Sequence, residues 1–100
     1  MQVVKTLNGD ELKVQVIGRL ETVTAPMLDG ELKDSLEGVA TLIFDFSQLE
    51  YISSAGLRVL FSVQKIMNRQ GKMIIRGANE DVMEVFEVTG SVDIMTIEKN

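Results

Sequence analysis

The stretch FDFSQLEYISSAGLRVL, residues 44–60, joins an apolar run to the start of a helical pattern. The run begins at residue 42 without alternation, which is typical of a central strand covered on both faces. The apolar side chains after residue 54 recur at helical spacing and predict a helix over about 54–70. We interpret residues 46–53 as a connection into that helix. Two serines and a glycine stand at its start, although one serine would suffice as an N-cap.

Strands and helices alternate on both sides of this stretch. Before it, the Asn-Gly pair at residues 8–9 predicts a type I′ hairpin turn. Alternating apolar and polar residues after the turn predict a strand at about 11–18, and the hairpin implies a partner strand at about 2–7. A first helix follows, with Thr24 as its N-cap and Gly38 as its stop.

The C-terminal part continues the pattern with a strand at 71–77 and a short helix that Asn79 caps and Gly90 ends. Residues 92–98 form a final strand candidate, with a ragged end at Lys99 and Asn100. The sequence therefore predicts one α/β domain over residues 1–100. We expect a mixed, mostly parallel sheet of about four or five strands, opened by an N-terminal hairpin, with helices packed on it.

Composition excludes several classes of function. The chain has neither Cys nor His, so thiol chemistry, disulfides, His-based triads and structural zinc are excluded, and no metal site is expected. A net charge of −5 disfavours direct binding to nucleic acid. No apolar run reaches the roughly 20 residues of a membrane span, and no signal region opens the chain. We expect a cytoplasmic protein without a cofactor.

The predicted helix over 54–70 has two faces when residues are counted at about 100° each. The face expected in the core consists of Ala55, Val59, Leu60, Val63, Ile66 and Met67. The expected solvent stripe consists of Ser54, Arg58, Ser62, Lys65 and Arg69.

Leu57 and Phe61 form an i, i+4 pair beside that solvent stripe. Either other parts of the chain cover them, or they form a partly exposed apolar contact for another protein, next to the Ser54 hydroxyl. Gly56 in the first turn would allow a close approach of backbone or of a bulky group. The unpaired N–H groups of a helix start favour an anion, so a phosphate on a serine there would be stabilised.

These residues resemble the central motif of STAS domains, the anti-sigma factor antagonists. The motif is an apolar strand, then Asp, an apolar residue and Ser, then an aromatic residue, and finally Ser-small-Gly-Leu opening a helix. The matching residues are Asp45, Phe46, Ser47, Tyr51, Ser54, Gly56 and Leu57. The stretch GRLETVTAP, residues 18–26, is similar to a second family pattern, and the order of elements agrees over essentially the whole chain.

The resemblance implies a phosphorylation switch at Ser54, the serine two before the glycine. In the family, an anti-sigma factor with kinase activity of the histidine-kinase-like ATPase type phosphorylates this serine. The unphosphorylated domain binds that partner and frees the sigma factor, and a serine phosphatase resets the switch. Many regulated members carry Asp at the positions of Ser53 and Glu21, so Ser53 is a second candidate acceptor here.

The partner surface implied by this reading surrounds Ser54. We expect it to include Ser53, Ser54, Gly56, Leu57, Arg58, Phe61, Glu21, Thr24 and Asp45. Asp45 ends the strand before the connection and would either hydrogen-bond near the serine or cap the connection itself. Glu21 and Thr24 belong at the mouth of the second strand, where Thr24 has capping as its other role.

Other functions stay open beside the switch. No base is available for a serine nucleophile, so we expect no enzyme activity. The alternative is a STAS scaffold that is not phosphorylated, such as a subunit of a lipid-transport or other membrane-associated complex. Nucleotide sensing is a third possibility, for which the glycine-bearing helix start is the only indication.

Overall fold

The N-terminal hairpin begins the sheet. The computed structural model describes residues 1–98, and the end predicted at Lys99 and Asn100 lies outside the described residues. Strand β1 (Gln2–Asn8) pairs antiparallel with β2 (Glu11–Leu20). The two turn residues are Gly9 and Asp10, and only Gly9 has a left-handed φ, of 65°. One left-handed residue at the first turn position is typical of type II′, so the hairpin prediction is confirmed and the turn type was wrong.

Three further strands extend the sheet parallel to β2. The main order is β1-β2-β3-β5-β6, with β3 at Thr41–Asp45, β5 at Lys72–Arg76 and β6 at Thr96–Ile97. This confirms the mixed, mostly parallel sheet. The final strand is shorter than the predicted 92–98, because a 3₁₀ turn takes up Ser91–Asp93.

Strand β4 (Leu49–Ile52) replaces part of the predicted connection and brings the sheet of the described residues to six strands. It does not join the main order but pairs in parallel with the last residues of β2. The change of partner occurs at Gly18, where the register shifts and φ is 102°. The Gly18 amide there donates to the Gln48 carbonyl at 3.0 Å. Strand β2 therefore pairs with β3 along Glu11–Gln15 and with β4 beyond Gly18.

Three α-helices lie within the described residues. They are α1 (Ala25–Lys33), α2 (Ser54–Asn68) and α3 (Glu80–Val88). Helix α1 ends five residues before Gly38, which adopts a left-handed φ of 78° in the following turn. Leu36 falls within the helix predicted to extend to Gly38, but it is buried from that irregular segment instead.

The buried face of α2 differs from the predicted one. Its buried residues are Gly56, Leu57, Leu60, Val63, Gln64 and Met67. Ile66 is 44% exposed, and Ala55 and Val59 are only half-buried. The helix is thus rotated by about 70° from the expected orientation, counted at 100° per residue. Apolar side chains lie on both flanks of α2, so periodicity alone does not fix which flank enters the core.

Candidate functional site

The ends of β2 and β4 meet the first turn of α2. The Ser53 amide donates to the Leu20 carbonyl at 2.9 Å, which ties the residue before the helix to the end of β2. The Ser53 hydroxyl accepts from the Gly56 amide at 3.5 Å, and its carbonyl accepts from the Leu57 amide at 3.0 Å. Ser53 is therefore the N-cap of α2, in extended backbone conformation.

Ser54 is the first residue of α2 and is exposed. Within residues 1–98, its hydroxyl makes no hydrogen bond. It stands beside backbone N–H groups that have no acceptor inside the helix, as at the start of any α-helix. The two adjacent serines thus differ in environment: Ser53 holds the helix start, and Ser54 presents a hydroxyl to solvent.

Gly56 fixes how closely α2 approaches the strands. A Cβ at this position would lie 2.8 Å from Leu20 Cγ, 2.9 Å from Ile52 Cγ1 and 3.0 Å from the Leu20 carbonyl oxygen. The group that approaches the glycine is therefore the chain's own pair of strands. Gly56 is buried, so its place in the predicted partner surface is to position the helix rather than to offer a contact.

Leu57 and Phe61, the apolar pair beside Ser54, were expected either to be covered by the chain or to be partly exposed, and the two residues differ. Leu57 is only 4% exposed and belongs to the core, so the prediction of a partly exposed Leu57 is wrong. Phe61 packs against the core with part of its ring accessible. Because α2 is rotated toward Leu57, the side chains that reach the surface beside Ser54 are Phe61 on one flank and Ala55 and Val59 on the other.

Thr24 and Glu21 lie at the mouth of β2, as predicted, but Thr24 does not cap α1 with its side chain. Its hydroxyl accepts from the Glu21 amide at 2.8 Å and donates to the Arg19 carbonyl at 2.7 Å. The hydroxyl therefore closes the turn that follows β2. The register pairs Leu20 with Ile52, so this turn stands directly beside the start of α2.

Arg19 joins this region without having been predicted there. Its Nε lies 3.3 Å from Glu21 Oε2, and its guanidinium carbon lies 4.5 Å from the centre of the Tyr51 ring. Arg19 and Tyr51 also line one wall of a cleft of about 380 Å³ between β4 and α3. Asp81 and Val85 line the other wall. Only the pairing of β4 with β2 brings Arg19 to Tyr51, and that pairing has no sequence pattern long enough to indicate it.

Asp45 lies away from this site. It pairs in register with Gln15, five residues before Leu20, which is about 16 Å along the strand. Its Oδ1 accepts from the Ser47 amide at 2.9 Å, and its Oδ2 lies 3.8 Å from Lys13 Nζ. Hydrogen bonds from the Ser47 side chain and then from its amide lower the pKa of Asp45, and Lys13 adds to this. Of the two predicted roles, Asp45 caps the connection.

Arg58 is exposed one turn along α2 from Ser54, on the same side of the helix. It and Phe61 are the predicted partner residues of α2 that keep an accessible side chain beyond the serines. No helix in the described part of the chain combines the length and the apolar character that crossing a bilayer requires.

Known proteins of similar sequence and fold include anti-sigma factor antagonists. The family model "STAS domain" matches residues 2–100. The anti-sigma-B factor antagonist of Listeria monocytogenes is 29% identical over 97 residues, covering 94% of this chain and 84% of that protein. An anti-sigma factor antagonist from Mycobacterium paratuberculosis superposes with a TM-score of 0.89 at 18% identity, covering 99% of this chain and 86% of that one. The phosphorylated form of the Bacillus cell fate determinant SpoIIAA superposes with a TM-score of 0.75 at 14% identity, covering 99% and 93%. The chain belongs to the STAS domain family.

Proposed function

We propose that the chain is an anti-sigma factor antagonist that phosphorylation of Ser54 switches off. In its unphosphorylated form it binds an anti-sigma factor and releases a sigma factor, in the cytoplasm. The observation that carries the proposal is the exposed, unbonded Ser54 hydroxyl at the first position of α2, next to a serine that already serves as the cap. The names of the curated relatives support the regulatory role.

The partner we propose is a serine kinase of the histidine-kinase-like ATPase type, opposed by a serine phosphatase. Ser54 is then the substrate of the partner's chemistry rather than a catalytic group. Ser53 is the poorer acceptor, because its hydroxyl faces the Gly56 amide and its phosphorylation would remove the N-cap.

A phosphate at Ser54 requires no refolding. It would add about −1.5 to −2 charges at a helix start, where an exposed negative group is favoured by roughly 0.3–1 kcal/mol. The cost falls on the complex instead, because burying a dianion against a partner removes its water, which is costly unless a cation compensates the charge. We expect phosphorylation to abolish binding while the backbone stays in place.

Intact mass spectrometry tests the phosphorylation site. The chain is incubated with ATP and, one at a time, with purified histidine-kinase-like anti-sigma factors of the same organism. We expect one phosphate on the wild type and on Ser53→Ala, and none on Ser54→Ala. Phosphate on Ser53 of the wild type would contradict the assignment. No transfer at all, together with stable co-purification in a membrane complex, would favour the scaffold alternative.

A further inference from the structure

The outward side of α2 is basic in an acidic chain. The exposed residues of this basic face are Ser54, Arg58, Ser62, Lys65 and Arg69. Helix α2 contains no Asp or Glu, whereas the chain as a whole has a net charge of −5 and α3 carries four acids and no base. We propose that the basic face docks on an acidic surface of the protein partner. This inference rests on the proposed function and adds the chemistry of the partner's surface.

The charges of the basic face are not neutralised by carboxylates of residues 1–98. The ion pairs of the described residues engage Lys5, Lys13, Arg19 and Arg76. Arg58, Lys65 and Arg69 have no carboxylate within 4.0 Å in that part of the chain. Their charge is therefore available to steer and orient a partner of opposite sign.

The spacing of the basic face suits a protein surface. Along the helix axis, Arg58 and Lys65 are about 10 Å apart, and Lys65 and Arg69 about 6 Å apart. Ile66, 44% exposed, and the half-buried Val59 lie along one edge of this row. Arginine is enriched at protein interfaces, and the two accessible aliphatic side chains beside the row add apolar contact area.

A polyanion such as DNA or an anionic membrane fits less well. Phosphate-backbone binding and membrane-surface binding depend on clusters of Lys and Arg, and three bases are few. The acids of α3 and the net charge of −5 would repel an extended anionic surface that reaches beyond α2. A partner that presents a limited acidic patch to α2 avoids this repulsion.

Phosphorylation of Ser54 would act directly on this face. Ser54 and Arg58 are four residues apart, which places a phosphate within reach of the guanidinium on the same side of α2. The phosphate would bring the formal charge of the face from +3 to about +1 and engage Arg58 internally. The partner's acidic patch would then face the phosphate instead of the free Arg58 guanidinium, and the two negative groups would repel each other.

Binding kinetics of a charge-matched pair of variants test the inference. The face variant is Arg58→Gln with Lys65→Gln, and the control is Lys33→Gln with Lys72→Gln, which removes the same charge from exposed sites on α1 and β5. The probe is the anti-sigma factor that phosphorylates Ser54. Its association with the unphosphorylated chain is measured without ATP. We expect the face variant to associate about tenfold more slowly at low salt, with a smaller salt dependence, and the control to match the wild type.

The possible results separate the two proposals. Unchanged association of the face variant, with Ser54 still phosphorylated, overturns the acidic-partner inference and leaves the proposed function standing. Failure of the wild type to bind any such kinase overturns both. Binding of the wild type to duplex DNA or to phosphatidylglycerol vesicles that the face variant loses would also overturn the inference, because the face would then serve a polyanion.

Discussion

The Ser53 amide bonds to the carbonyl of Leu20 at 2.9 Å, and this contact sets the end of β2 against the start of α2. The residue that makes it also caps the helix, so the position of the next residue, Ser54, depends on both interactions. Ser53 therefore fixes the helix start, Ser54 is presented to solvent, and Gly56 packs beneath both against the strands.

Replacing the two serines separately should affect stability differently. We expect Ser53→Ala to lower the free energy of unfolding by about 1 kcal/mol, because the Gly56 amide loses its cap. Ser54→Ala should change it little, since its hydroxyl bonds nothing within residues 1–98. Urea unfolding measures both, and Ser62→Ala, exposed in the middle of α2, is the control. A larger loss for Ser54→Ala than for Ser53→Ala would contradict the assignment.

Adding a methyl group at Gly56 should destabilise the protein. The new Cβ would lie 2.8 Å from Leu20 Cγ, so α2 or the strands must shift, at a cost of about 1–3 kcal/mol. This outweighs the gain in helix propensity of about 1 kcal/mol. Gly30→Ala in α1 is the matched control, because nothing lies within 4 Å of its added Cβ and only the gain applies. Thermal or urea unfolding that shows the two variants shifting in the same direction would count against this packing.

Replacing Leu57 and Phe61 by alanine should have different effects on stability and on partner binding. Leu57→Ala empties a core position and should cost about 2–4 kcal/mol of stability. Phe61→Ala should cost less, since part of its ring is already accessible, but should weaken partner binding at equal folded fraction. Calorimetric unfolding and titration with the anti-sigma factor give the two readouts. A binding defect confined to Leu57→Ala would reverse our reading of this pair.

The pKa of Asp45 predicts a dependence of stability on pH. The pKa of Asp45 in the folded protein lies below 3.8, the ordinary value for an Asp carboxyl, because Ser47 and then Lys13 favour the charged form. A depressed folded pKa contributes stability above the unfolded pKa and loses it as pH falls through the folded pKa. The stability difference between wild type and Asp45→Asn should therefore shrink as the pH is lowered from 7 through 3.8 and below.

Urea unfolding at a series of pH values measures this difference. Carbon NMR titration of the Asp45 carboxyl provides an independent check, in which Ser47→Ala should raise the pKa toward the unfolded value. A pKa that does not respond to Ser47→Ala would show that the side-chain hydrogen bond is not the main cause.

Much of the fold follows from local sequence patterns. The hairpin could be predicted from its turn pair, β3 from its unbroken apolar run and α2 from its helical periodicity. The mostly parallel sheet could be predicted from the alternation of strands and helices. Strand β4 could not, since it has four residues and pairs only with the last residues of β2. A strand that short has too few side chains to show alternation, and its pairing depends on the register shift at Gly18.

The site was predicted in position but not in detail. Ser54 lies at the exposed helix start as expected, because the Ser-Ser-Ala-Gly sequence marks that start. The rotation of α2 could not be predicted, since apolar residues occupy both flanks and the tertiary packing of the helix, with Gly56 close to Leu20, selects one of them. Asp45 was expected near Ser54 because it ends the strand before the connection, yet β4 carries the chain about 16 Å further along β2.

The register shift at Gly18 also divides the hydrogen-bonded strand pairs of β2 into two sets that could separate independently. The residues of β2 that pair with β1 and β3 all precede Gly18. Within residues 1–98, strand β4 pairs only with β2, from Gly18 onward. Detachment of β4 would release Ser54, the proposed phosphate acceptor, together with the first turn of α2 and leave the pairing of β1, β2 and β3 intact. In native-state hydrogen exchange, we expect the amides of Tyr51 and Ser53 to open together, at a lower free energy than those of β3.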